Sequence, residues 1–167
     1  KFDTDRRFDL ILMIMCDFCA LSPAQRDALL EMFYRFLAPG GAVVLDVYSL
    51  SAYAQREESA IYERNQLDGF WSASDYFTFV NTFKYDDVKV VLDKYTIVEE
   101  NRTREVYNWL QYFAPEDIEV TFTEAGFEVE ALYGDVSGSP FCEDAPEFAI
   151  VARKPAVSCP TQPRQRG

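Results

Sequence analysis

Residues 8–49 read FDLILMIMCDFCALSPAQRDALLEMFYRFLAPGGAVVLDVYS. The stretch divides into strand, polar-tipped loop, helix, glycine turn and strand. Phe8 to Met15 is apolar except for Asp9, which suits a parallel strand covered on both faces. Ser22 stands at the N-cap of a helix, Pro23 at its first position, and Gln25 where a capping box needs it. Leu29, Leu30, Phe33, Phe36 and Leu37 recur at helical spacing and make one apolar face. Ala38-Pro39-Gly40-Gly41 ends the helix, because proline cannot continue it and glycine accepts left-handed torsions. Ala42 to Tyr48 is the second apolar strand. So short a unit predicts a right-handed parallel crossover. Cys16, Asp17 and Phe18 leave the carboxyl end of the first strand, Tyr48 and Ser49 that of the second. Open α/β sheets bind ligands outside those ends.

The remaining composition narrows the chemistry. With 167 residues, 49% hydrophobic and 16% aromatic, the chain has material for one domain with a core. Its net charge of -12 repels phosphate backbones and anionic lipid, so neither nucleic acid nor membrane is an expected partner. It contains no histidine, which removes Ser-His-Asp and Cys-His nucleophiles and most mononuclear zinc chemistry; no metal site is expected. No apolar run approaches a membrane span and no secretory signal is visible, so the expected location is cytoplasmic. Cys16 and Cys19 have C-x-x-C spacing. Without a redox-motif context they read as reduced thiols, Cys16 packed at a strand end.

Downstream, Ser51 to Glu58 reads as a short amphipathic helix, followed by an irregular segment. Between Asp75 and Phe113 the period changes to two. Phe77, Phe79, Phe83 and Tyr85 share one parity; Tyr76, Thr78, Val80, Thr82 and Lys84 hold the other. Asp86-Asp87 and Asn101-Arg102 mark turns, giving strands near Val88–Glu99 and Arg104–Phe113, with Tyr107, Trp109 and Phe113 on one face. The pattern predicts a three-stranded antiparallel meander, about 75–113, inserted in the parallel framework. Its aromatics pack a sheet or cover a ligand. Pro115-Glu116-Asp117 then opens a helix with Ile118, Phe122 and Ala125 inward and Gly126 at its end. Phe127–Tyr133 and Glu147–Arg153 are the last strands, and Asp135 lines a site or makes a turn. Residues 156–167 read as a disordered tail.

Phe8-Asp9-Leu10-Ile11, the Leu37-Ala38-Pro39-Gly40-Gly41 turn and Glu124-Ala125-Gly126-Phe127 together resemble class I S-adenosylmethionine-dependent methyltransferases. The likeness covers Phe8 to Lys154, the C-terminal half of that Rossmann-like fold. It implies that residues 1–155 are the C-terminal portion of a methyltransferase domain, and that the last strand runs antiparallel between its neighbours. It also implies S-adenosylmethionine as cofactor, with Met15, Cys16, Asp17 and Phe18 beside it. Asp17 is the candidate catalytic residue, orienting a small-molecule acceptor or taking its proton; the alternative is a loop carboxylate that caps the turn. Tyr48, Trp109 and Tyr112 are the substrate-side candidates.

The family's glycine-rich loop, and the acid that holds the cofactor ribose, have no counterpart: the only adjacent glycines are Gly40-Gly41. The sequence also begins Lys-Phe-Asp. Both suggest a piece of a longer enzyme, inactive by itself, whose Phe8–Met15 edge would self-associate. The competing reading is a non-catalytic ligand-binding or assembly module. An α/β hydrolase fails for want of Gly-x-Ser-x-Gly and histidine.

Overall fold

The computed structural model describes residues 4–156. In chain order the elements are β1 (Phe8–Met13), a 3-10 turn (Asp17–Ala20), α1 (Pro23–Phe36), β2 (Leu37–Tyr48), α2 (Leu50–Gln55) and β3 (Ser59–Arg64). A single helical turn, α3 (Gln66–Gly69), leads to β4 (Tyr76–Tyr85), β5 (Val90–Glu99) and β6 (Arg102–Gln111). Then come α4 (Pro115–Glu124), β7 (Glu128–Tyr133) and β8 (Glu147–Arg153). They form two four-stranded sheets, ordered β1-β2-β8-β7 and β3-β4-β5-β6.

The first sheet follows the pattern the resemblance implies. β1 and β2 are parallel, and β8 lies between β2 and β7, antiparallel to both. The α1 start is the expected capping box: the Ser22 hydroxyl accepts from the Gln25 N–H, and the Gln25 side chain accepts from the Ser22 N–H. The helix stops at Phe36, earlier than the glycines. Pairing of β2 begins at Leu37, opposite Phe8, and Gly40 makes its left-handed bend (φ 80°) inside the strand. Gly41 sits so close to the Ala38 and Phe8 carbonyls that a Cβ would meet both at 3.0 Å.

The main core is built on one face of this sheet. Val43, Leu45 and Val47 of β2 and Phe148, Ile150 and Ala152 of β8 meet Leu30 and Phe33 of α1 and Ile118 and Phe122 of α4. Ile11 and Met13 of β1 join from the same side. The expectation that β1 is covered on both faces is corrected here: Leu10 and Leu12 point the other way and are exposed. Both helices lie on the core face, so the apolar run that signals a two-faced strand has a cover on one side only among the described residues.

The second sheet contains the three expected meander strands as β4, β5 and β6. A fourth, β3, pairs antiparallel with β4 in the stretch expected to be irregular. The predicted parity holds in β4, with an unexpected orientation. Tyr76, Thr78, Val80 and Thr82 are buried, whereas Phe77, Phe79, Phe83 and Tyr85 are the exposed set, continued by Tyr107 and Trp109 of β6. Phe113 does not share that face. It lies beyond β6, in the core, and its N–H donates to the Tyr48 carbonyl at 2.9 Å, joining the two sheets. The expected tail lies outside the described residues from 157 onward.

Candidate functional site

The loop leaving β1 carries the sequence-predicted residues. Met15 (φ 71°) and Cys16 (φ 55°) are both left-handed, a conformation that costs a non-glycine residue about 1–2 kcal/mol. Asp46 of β2 holds them there. Its carboxylate accepts the Cys16 N–H at 2.8 Å and the Met15 N–H at 3.2 Å. Asp46 is itself buried, so these charge-assisted bonds are screened little by water.

The pinned loop divides its residues. Met15 is 79% exposed and Asp17 is exposed on the first position of the 3-10 turn. The N-cap of that turn is Cys16, whose side chain makes no capping bond. Cys16 and Cys19 are buried free thiols. A hydrogen bond with Cys19, then burial and the carboxylates of Asp46 and Glu147, push the Cys16 thiol far above its usual range, so it stays protonated and is no nucleophile. Its Sγ lies 3.8 Å from Glu147 Oε2. Phe18 is fully buried against Phe113 and Phe122, ring centroids 6.0 and 6.3 Å apart. It supports the loop from beneath and offers no surface to a ligand.

The three substrate-side candidates do not form one group. Tyr48 and Tyr112 face each other at 5.6 Å, and Tyr53 completes the cluster 5.4 Å from Tyr112. Burial raises the pKa of both Tyr48 and Tyr112 above the usual tyrosine value. Trp109 stands apart, with its ring 5.6 Å from Tyr85, and lines a cleft of about 250 Å³ with Arg26 and Gln111.

Sequence reasoning missed several polar groups. Asp46 could have been noticed as the one carboxylate inside the apolar run Ala42–Tyr48. Arg56 and Asp93 meet at 2.6 and 2.8 Å, and Thr82 donates to Asp93 at 2.7 Å. Tyr53 donates to Asp86 at 2.7 Å. The Tyr53–Asp86 and Arg56–Asp93 pairs are 33 and 37 residues apart in the chain, too far for any local signal. Asp135 is a turn: hydrogen bonds from Ser139 and Ser137 hold its carboxyl well below the usual range. No group of three or more metal-ligating side chains occurs among the described residues.

The arrangement is a rim of carboxylates, Asp17, Asp46 and Glu147, at the carboxyl end of a parallel strand pair, beside a tyrosine cluster. It can accept protons and attract a cation; it has no nucleophile. No helix is long and apolar enough to cross a membrane among the described residues.

No family model matches the sequence, and no curated protein matches it. Solved structures do match the fold. An S-adenosylmethionine-dependent methyltransferase from Clostridium acetobutylicum aligns over 93% of this chain and 62% of its own, with TM-score 0.68 and 13% identity. The CcbJ methyltransferase from Streptomyces caelestis aligns over 93% and 61%, with TM-score 0.67 and 15% identity. The glycopeptide N-methyltransferase MtfA, solved with S-adenosyl-L-methionine, aligns over 92% and 60%, with TM-score 0.52 and 19% identity. The chain thus spans about three fifths of the length of these proteins. At such identities the likeness is one of fold: the chain shares a Rossmann-like α/β fold with these methyltransferases, with an antiparallel sheet inserted.

Proposed function

We propose that this chain forms one side of the S-adenosylmethionine cleft of a cytoplasmic methyltransferase that acts on a small-molecule acceptor. The observation that carries the reading is the β1 exit loop. Asp46 fixes it in a strained shape that presents Met15 and Asp17 at the sheet end where α/β folds bind ligands. The cofactor fits this side chemically. It is a sulfonium cation, and the rim carries Asp17, Asp46 and Glu147 with no opposing lysine or arginine hydrogen-bonded to them among the described residues. When bound, S-adenosylmethionine supplies an electrophilic methyl group. The protein's part is alignment and, where the acceptor needs it, proton removal.

In that division of labour Asp17 is the catalytic candidate, free to orient the acceptor or take its proton. Met15 and Cys16 shape the cofactor side, and buried Phe18 keeps the turn in place. Tyr48, backed by the buried ring of Tyr112, forms the acceptor wall nearest the loop, with Trp109 on a separate cleft. The charge of -12 supports a small acceptor over nucleic acid.

No Gly-x-Gly occurs in the sequence, so the other side of the cleft belongs to a longer parent chain, and the fragment by itself is inactive. β1 is at the edge of its sheet, with Leu10 and Leu12 exposed, so the isolated chain self-associates there. Leu12→Lys lowers its light scattering at micromolar concentration.

Calorimetry tests the central claim. A parent carrying the preceding residues binds S-adenosylmethionine at least about tenfold more tightly than this chain. Equal affinity would overturn the two-sided site. A second reading is a non-catalytic binding or assembly module, favoured by the open aromatic face of β4 and β6 and by the missing glycine loop. Failure of the parent to bind the cofactor at all would leave that reading standing.

A further inference from the structure

Arg26 is an arginine without an ion pair among the described residues. It sits in the second turn of α1 and is only 8% exposed. Its Nη1 donates to the Leu21 carbonyl at 2.5 Å. The guanidinium carbon lies 5.9 Å from the Phe18 ring centroid and 5.3 Å from that of Phe113. Among the described residues no carboxylate comes within ion-pair distance of it. In a chain with 28 acidic and 16 basic residues, a buried cation with no ion pair, feeling Asp27 only at longer range, is out of keeping. Ring faces and one carbonyl compensate a guanidinium in part, and burial still pulls its pKa downward.

The same side chain opens on a space. Arg26 lines the cleft of about 250 Å³ between the start of α1 and the end of β6, with Cys19, Ser22, Gln25, Trp109 and Gln111. The amino end of α1, a helix of 14 residues, faces this cleft through Ser22 and Pro23. The Ser22 and Gln25 amides are committed to the capping box and Pro23 has no N–H, so the helix contributes the positive potential of its dipole and not a donor. The Gln111 amide is committed to the carbonyls of Val88 and Tyr112. The Trp109 ring, 45% exposed, gives the cleft a flat apolar wall. Cys19 is two residues from Asp17, so the space adjoins the proposed reaction rim.

We propose that this cleft is an oxyanion site, in which Arg26, beside the positive end of the α1 dipole, holds a carboxylate or phosphate group of the methyl acceptor while the acceptor's organic body lies on Trp109. Naming the occupant as the acceptor rests on the methyl-transfer reading; the oxyanion site itself does not. The geometry suits both anions. A guanidinium donates in parallel to two oxygens of either, and the helix end accepts negative charge of any origin.

The test is a nuclear magnetic resonance titration of this chain with inorganic phosphate, phenyl phosphate and benzoate, at ionic strength held constant with sodium chloride. Phosphate gives saturable shifts in the millimolar range, confined to the amides of Ser22, Ala24 and Gln25 and the Trp109 indole. Arg26→Gln weakens that binding at least tenfold. Phenyl phosphate binds several-fold more tightly than phosphate, and Trp109→Ala removes this advantage without changing phosphate affinity. Benzoate saturating at lower concentration than phenyl phosphate would assign a carboxylate, the reverse order a phosphate. Linear, unsaturable shifts, shifts scattered over the surface, or undiminished binding by Arg26→Gln would overturn the proposal. Should Arg26→Gln lose its fold by circular dichroism, the wild-type shift map and the Trp109→Ala arm decide in the same terms. Cofactor binding is not read in these titrations, so their failure and that of the methyl-transfer reading are told apart.

Discussion

The sheet β1-β2-β8-β7 buries aliphatic and aromatic side chains against α1 and α4. The sheet β3-β4-β5-β6 buries Thr78, Thr82 and Asp93 and leaves Phe77, Phe79 and Phe83 open. Strand β4 of the second alternates with period two, whereas β2 and β8 of the first are buried at successive residues. The two sheets also differ in what makes burial tolerable. In the first sheet it is area removed from water. In the second, much of it is partner supply: Arg56 and Thr82 both bind Asp93, and Tyr53 binds Asp86. A polar face can therefore be the inner one when distant segments bring it donors and acceptors. Alternation identifies a strand; it does not say which side faces in.

The comparison is easiest to break with a pair of truncations. Ile150→Ala, in the fully buried core of the first sheet, costs about 3 kcal/mol of unfolding free energy in urea. Phe79→Ala, on the open face of the second, costs less than ~1 kcal/mol although it removes more atoms. Equal losses would mean that the aromatic face is covered in solution.

The polar face has its own measure. Asp93→Ala leaves Arg56 and Thr82 without their shared acceptor. The Arg56 side chain is 33% exposed and can reach water, so the expected cost is about 2 kcal/mol, below that of breaking a fully buried pair. A double-mutant cycle with Arg56→Met isolates the coupling. A coupling near zero would reduce the network to an accident of packing.

Alkaline titration sharpens the same point. Burial, then the bond to Asp86, push Tyr53 up to about 12, against about 10 for a free tyrosine. The folded state holds this proton more tightly than the unfolded chain does. The stability it contributes is complete below pH ~10 and is lost as pH rises from there through about 12. Tyr53→Phe flattens that part of the stability profile. An unchanged slope above pH ~10 would remove Tyr53 from the account.

The smallest expected stability effect belongs to the rim. Asp17→Asn changes unfolding free energy by no more than ~0.5 kcal/mol, because Asp17 is exposed. In a parent with the complete cleft it lowers turnover well beyond that. Matched losses of turnover and melting temperature would return Asp17 to a structural role.

Legibility followed sequence distance. The α1 cap was readable because Ser22 and Gln25 are three residues apart; the β2 start was not, because the strand begins at Leu37 and carries its glycines inside it. Strand β3 was not, since Ser59–Arg64 is exposed along its whole length and carries no apolar alternation. The rim could be located, because loops after parallel strands are predictable. Its internal arrangement could not: Asp46 acts across 30 and 31 residues, and Phe18 turned inward for reasons of packing. Trp109, singled out as a substrate-side residue, is half-exposed beside a cleft, but the arginine that shares the cleft comes from a helix whose pattern suggested only packing.

The Asp46 clamp has one more consequence. The carboxylate belongs to β2 and the amides it holds belong to the end of β1, so the loop's shape is a gauge of how the two strands are aligned. Slide β1 by one residue and the carboxylate meets the wrong amides, while Ile11 and Met13 leave the core for the opposite side. Met15 and Cys16 would then have no reason to stay left-handed. A misaligned chain would collapse its carboxylate rim before it lost its sheet, so the shape of this loop reports on the pairing of the two strands.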